Sequence, residues 1–182
     1  MNADIEHVAA QVARDLNGRS VGCAESITAG RIAACLACVE HAADFFRGGV
    51  VAYQTAIKRT LLGVDAPNVL SEEAACQMAS GVSHLLGVDA AVATTGLAGG
   101  DAEPGIPVGT VFVGTVVDGV TSAHRYWFDG NPEQVCDAAT KQSLIDLGTA
   151  LARAKPGHVS TTVATNVSTA SDSDIGSHRA NC

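Results

Sequence analysis

The sequence predicts an α/β protein, a three-layer α/β/α sandwich on a mixed, mostly parallel sheet. Three observations point there. Segments with apolar residues at helical spacing alternate with short apolar or β-rich runs, so helices lie before and between strands and must cover both faces of a sheet. Aromatic residues make up only 4% of a chain that is 47% hydrophobic. Its core must therefore be filled by Ala, Val, Leu and Gly, as when helices lie directly on strands. Finally, two β-rich runs meet around Asp118-Gly119, a hairpin signal that makes the sheet mixed.

Taken in order, Ile5, Val8, Ala9, Val12 and Leu16 recur at helical spacing, and Asn17-Gly18 stops that helix. Ser20 to Ala24 follows as a short strand. A second helix is expected from Thr28 to Val39, which leaves Glu25 to Gly30 as a strand-to-helix turn with unpaired amides. Gly48 to Tyr53 reads as a strand, followed by a short helix containing Lys58, Leu61 and Leu62 that Gly63 ends. Ser71 is the expected N-cap of a longer helix, with Glu72 and Glu73 in its first turn and Ala75, Met78, Ala79, Val82 and Leu86 facing inward. Val88 to Thr94 has the continuous apolar character of a strand covered on both faces, and it empties into the loop Thr95-Gly96-Leu97-Ala98-Gly99-Gly100. Val108 to Val116 and Thr121 to Phe128 form the hairpin. A last helix, Pro132 to Ala154, has Val135, Ala138, Ala139, Ile145 and Leu151 among its buried candidates. Residues 1–154 are thus expected to form one domain, and the Ser- and Thr-rich segment 155–182 a disordered tail.

Eleven Lys and Arg against nineteen Asp and Glu give a net charge of −8, which repels a phosphate backbone and argues against nucleic-acid binding. A small anionic ligand is still compatible with it, because local amides and single cations act at short range. No stretch approaches the roughly 20 apolar residues of a membrane-spanning helix. Six cysteines, mostly in apolar stretches, and the lack of a basic segment followed by an apolar run point to reduced thiols and a cytoplasmic protein. Cys35 and Cys38 form a CxxC on an Ala-rich helix, better suited to packing than to redox or metal chemistry, and no second ligand pair at zinc spacing accompanies it.

Chemistry is concentrated in three segments. Ala24-Glu25-Ser26-Ile27-Thr28-Ala29-Gly30 sets two hydroxyls and a carboxylate at a strand end before a helix; Thr28 or Ser26 could serve simply as a helix cap, or Ser26 could act as a nucleophile given a nearby base. Tyr53 and Lys58, on the next strand end and helix, are candidates for that activation, provided Lys58 points inward and loses its hydration. The loop from Thr95 supplies flexible amides beyond a buried strand, where ligands of open α/β sheets collect.

The segments AESITAG, FFRGGVVAYQTAIKRTLLGV, VLSEEAA and AVATTGLAGGDAEPGIPVGTVFV occur in an order and spacing that resembles the CinA C-terminal domain family over about residues 5–150. The resemblance implies amide hydrolysis: nicotinamide mononucleotide and water become nicotinate mononucleotide and ammonia, with no cofactor and no metal. It assigns Ser26 as the nucleophile, Tyr53 and Lys58 as the other catalytic residues, and Thr28, Ala29, Gly30, Arg47, Thr95 and Gly96 as substrate-binding positions. Ala29 stands where the family has its first glycine, Thr55 where Asn is usual, and Gly100 where Pro is common. A family-like GDR segment here reads Gly130-Asn131-Pro132, and Cys136 replaces a residue that is often basic, so a phosphate-binding cation would have to come from Arg47 or Lys141. Those departures motivate the alternative of a nucleotide-binding module that has lost catalysis. The expected partner is a pyridine mononucleotide, not nucleic acid or membrane, and a homo-oligomer rests on the resemblance alone.

Overall fold

The computed structural model describes residues 3–154; the expected disordered tail at 155–182 lies outside the described residues. Its elements run α1 (Ala3–Asp15), β1 (Val21–Glu25), α2 (Arg31–Ala37), α3 (Ala42–Phe45), β2 (Phe46–Val51), α4 (Thr55–Leu62), α5 (Glu72–Leu86), β3 (Ala90–Gly96), β4 (Thr110–Val117), β5 (Val120–Trp127) and α6 (Pro132–Arg153). The strands form one sheet in the order β2-β1-β3-β4-β5. β1 pairs in parallel with β2 and β3, whereas β4 is antiparallel to both β3 and β5. The sheet is mixed, and β4 alone runs against the others. Asp118 and Gly119, both at positive φ, make the tight turn between β4 and β5.

Alternating strand residues feed two cores. Val21 and Cys23 of β1, Ala90 and Val92 of β3, and Val111 and Val113 of β4 pack with Ile5, Val12, Ile32, Leu36, Leu144 and Leu147 of α1, α2 and α6. Ala24, Ala91, Ala93 and Val116 pack on the other face with Leu62, Met78, Ala79 and Val82 of α4 and α5. The result is the three-layer sandwich. Small residues let the layers touch directly: a Cβ on Gly114 of β4 would collide with the carbonyl of Ala75 in α5. The scarcity of aromatic residues thus has a structural counterpart in backbone-to-backbone packing.

Three expectations need correction. α2 starts at Arg31, not Thr28, because Ala29 and Gly30 both have positive φ (50° and 95°) and cannot belong to a right-handed helix. A short α3, which the sequence did not announce, precedes β2. Ile145 is 40% exposed and Ala138 only half-buried. The buried stripe of α6 instead runs Val135, Ala139, Ser143, Leu147 and Leu151, spaced four residues apart as on one helix face.

Candidate active site

β1 and β3 are parallel neighbours, so their carboxyl ends and the loops that follow meet at one rim of the sheet. Ser26 is the first residue beyond β1, and its amide donates to the Thr94 carbonyl at 3.0 Å. Two residues after Ala24, its side chain turns toward the α4 and α5 layer. Lys58 comes from that layer. It stands four residues before Leu62, on the inward face of α4, and both are buried. Its Nζ donates to Ser26 Oγ at 3.0 Å and to the Tyr53 carbonyl at 3.1 Å. With Lys58 only 3% exposed and Ser26 7%, removal from water holds the Lys58 ammonium below the ordinary lysine range.

The turn that carries Ser26 is closed by Glu25. This residue is fully buried, and its carboxylate accepts the amides of Gly30 at 2.9 Å, Ile32 at 3.1 Å and Ala33 at 2.8 Å. Glu25, rather than the hydroxyl of Thr28 or Ser26, therefore caps α2, while the Arg31 amide donates to the Thr28 carbonyl at 3.0 Å. The Thr28 hydroxyl lies 2.8 Å from that of Thr94, which ties the turn to β3. Ala29 donates to the Ser26 carbonyl at 3.3 Å, so the amides of Ala29 and Gly30 are both engaged within the chain. The amides of Ile27 and Thr28 have no hydrogen-bond acceptor among the described residues. They directly follow the candidate nucleophile, the position from which a backbone N–H can stabilise an oxyanion.

The remaining assigned residues divide. Tyr53 joins the cluster through its carbonyl, while the residue is 71% exposed. The Thr95 hydroxyl donates to the Val69 carbonyl at 2.8 Å, holding the loop before α5 against β3. Gly96 ends β3 where a Cβ would press on the Thr110 carbonyl. Arg47 is elsewhere: the register passes from Val21↔Phe46 to Gly22↔Gly48, leaving Arg47 as the extra residue of a bulge at the start of β2. Ser26 follows the opposite end of the neighbouring strand, roughly 13 Å further on at about 3.3 Å per residue. Lys141 pairs with Asp4 at 3.2 Å, joining α6 to α1.

The departures near α6 have structural uses. Asn131 and Gln134 form a capping box, Asn131 Oδ1 accepting the Gln134 amide at 3.0 Å and Gln134 Oε1 the Asn131 amide at 2.9 Å. The Cys136 thiol donates to the Ile27 carbonyl at 3.0 Å, seating the first turns of α6 on the Ser26 turn. Burial raises that thiol's pKa and works against nucleophilic use. Sequence reading missed two contributors, Glu25 as the clamp on α2 and Thr94 as the partner of Thr28. The signal for Glu25 was present, since a carboxylate stood at the strand end directly before a helix start.

Solved structures share this fold, and known proteins are similar in sequence. A CinA superfamily protein from Klebsiella pneumoniae superposes with a TM-score of 0.78 at 33% identity, covering 84% of this chain and 99% of the other. The competence/damage inducible protein CihA from Agrobacterium tumefaciens gives a TM-score of 0.76 at 31% identity, covering 84% and 98%. In sequence, a CinA-like protein from Mycolicibacterium vanbaalenii is 41% identical over 143 residues, 74% of this chain but 33% of that protein. The chain thus spans about a third of the length of such curated relatives. Residues 5–151 match the CinA C-terminal domain, and the chain belongs to that family.

Proposed function

We propose that this domain hydrolyses the carboxamide of nicotinamide mononucleotide, giving nicotinate mononucleotide and ammonia. The observation that carries the reading is the buried contact between Lys58 Nζ and Ser26 Oγ at 3.0 Å. A serine hydroxyl is a poor nucleophile without a base, and a lysine kept from water is the kind of amine that can be neutral when needed. In the proposed course, neutral Lys58 takes the Ser26 proton as Oγ attacks the carboxamide carbon. The Tyr53 carbonyl fixes the amine in place. Amides of Ile27 and Thr28 receive the developing oxyanion, a contribution of about 3 kcal/mol per donor in comparable sites. Lys58 returns the proton to the departing ammonia; water, deprotonated in its turn by Lys58, then attacks the acyl carbon, and Lys58 gives that proton to Ser26 Oγ as the ester bond breaks and the carboxylate product leaves. This chemistry would place the domain in pyridine nucleotide salvage as a hydrolase acting on a linear amide.

A binding module without turnover is the second reading. It is favoured by Ala29, held at φ 50° where the family has glycine, and by Asn131 and Cys136, which are engaged in structural bonds in place of family-like polar residues. Calorimetry and ammonia release on the same wild-type preparation separate the two. Saturable binding of the mononucleotide with stoichiometric ammonia is the result expected of the amidohydrolase; binding with no ammonia would establish the module.

A further inference from the structure

A row of side chains crosses the rim of the sheet from the candidate nucleophile to an arginine. Glu25 pairs with Thr94, Thr95 with Phe112, and Phe112 with Arg125. Ser26 is therefore level with Thr95, and the row runs Ser26, Thr95, Phe112, Arg125 from β1 to β5. These side chains take the face covered by α4 and α5, because Ala24, Ala93 and Gly114, two residues away on their strands, face that layer. Arg125 shares the face, since its guanidinium lies over the Phe112 ring. Lys58 holds Ser26 at one end of the row. Arg125 closes the other.

The guanidinium reaches back toward Ser26. Three strand spacings of roughly 4.8 Å separate the two backbones by about 14 Å. The guanidinium carbon, however, lies 5.7 Å from the centroid of Phe112, one strand nearer, so the charge stands on the order of 10 Å from the nucleophile. Two contacts fix it there. The Phe112 ring, itself 5% exposed, lies beneath it, and the Gly105 carbonyl, in the loop that follows β3, accepts from Nη2 at 2.9 Å. Arg125 is exposed to solvent, and no carboxylate among the described residues pairs with it. Arg19, Arg31 and Lys141, by contrast, meet Asp118, Asp137 and Asp4. In a chain of net charge −8, a guanidinium held at the rim without an acid beside it keeps most of its donor fork open to an anion from solution.

We infer that Arg125 binds the phosphate of the mononucleotide, with the carboxamide at Ser26 and the pyridine and ribose rings spanning the distance between them. The inference rests on the amidohydrolase reading and adds a specificity determinant to it. It supplies the cation that Arg47, at the far end of β2, and Lys141, paired with Asp4, do not.

Kinetics of wild type, Arg125→Gln and Arg125→Lys are compared on nicotinamide mononucleotide and on nicotinamide riboside, which lacks the phosphate, with thermal unfolding of each protein alongside. Arg125→Gln keeps a donor for the Gly105 carbonyl and removes the charge. It is expected to raise KM for the mononucleotide about tenfold or more, the loss of a charge-assisted bond, with kcat near the parental value and KM for the riboside unchanged. Arg125→Lys, which keeps the charge without the fork, should fall between. Rising ionic strength should weaken the mononucleotide in wild type and leave the riboside unaffected. Parental KM for the mononucleotide in folded Arg125→Gln overturns the inference. So does an equal loss on both substrates, which would make Arg125 only an anchor for the loop at Gly105. Ammonia release by wild type keeps the amidohydrolase reading intact in either case. Should Arg125→Gln not fold, Arg125→Met carries the same comparison. If wild type binds the mononucleotide without turnover, the same ratios are read from Kd. Wild type that neither binds nor hydrolyses either compound overturns both.

Discussion

The carboxylate of Glu25, on the residue directly before Ser26, holds the amide of Gly30 at 2.9 Å. Strand end, candidate nucleophile and helix start are thereby one unit, closed by a fully buried acid with two further amides on it. Charge-assisted bonds of this kind lose much of their strength when the acceptor becomes neutral. Glu25→Gln is expected to lower the unfolding free energy by about 2 kcal/mol and to lower kcat with it. Urea unfolding with parallel assays checks this, and a stable variant with unchanged turnover would remove Glu25 from the site's construction.

Ala29 sits at φ 50°, a conformation that glycine adopts without steric cost. Ala29→Gly should therefore stabilise the domain by about 1 kcal/mol despite the added freedom of the unfolded chain. Denaturant midpoints of the two proteins measure it. A lower midpoint would mean that the turn gains more from the methyl group than it loses in backbone strain.

Gly114 meets the α5 backbone at Ala75 with no space for a side chain. Even Gly114→Ala forces α5 off the sheet, and a loss of about 3 kcal/mol is expected, at the upper end for overpacking because backbone cannot rotate away. Equilibrium unfolding gives the number, with Gly63→Ala unsuitable as a control because that residue has φ 67°.

Burial lowers the Lys58 pKa, so between its folded and unfolded values the unfolded chain binds more protons. Stability then rises with pH across that window, which lies below the ordinary lysine range. Relative to Lys58→Met, which has no proton to bind, wild type should gain stability from neutral pH toward pH about 10. Its kcat/KM should also rise with pH along a limb below the usual lysine value. Melting temperatures and kinetics over that range test both; a gap between the proteins that does not change with pH would show Lys58 titrating as it does in water.

Where local pattern dictates structure, the sequence was readable. Ser71 accepts the Ala74 amide at 3.1 Å, as its position ahead of two glutamates suggested, and Asp118-Gly119 turns the hairpin. Ala29 was opaque because alanine usually favours a helix, and its left-handed conformation, with that of Gly30, delays the start of α2 to Arg31. Ile145 misled because Ser143 occupies the buried stripe of α6, its hydroxyl satisfied by the Ala139 carbonyl at 2.6 Å; an apolar count passes over such a serine.

The same division runs through the site. Ser26 and Lys58 were visible as residue types, and the four-residue spacing of Lys58 and Leu62 hinted at an inward lysine. Their 3.0 Å contact depends on how α4 packs against α5 so that Lys58 reaches the end of β1, which no local pattern encodes. Arg47 illustrates the converse: a cation in a motif close to Tyr53 in sequence, yet at the start of β2 and so at the end of the strand away from Ser26.

Ammonia release from nicotinamide mononucleotide by wild type, Ser26→Ala and Lys58→Met, assayed in parallel with folding verified by circular dichroism, tests the central claim most directly. Wild type should turn over, and each variant should lose on the order of a thousandfold or more in kcat, as expected when either member of a nucleophile and base pair is removed. A folded Ser26→Ala protein releasing ammonia at the wild-type rate would contradict it.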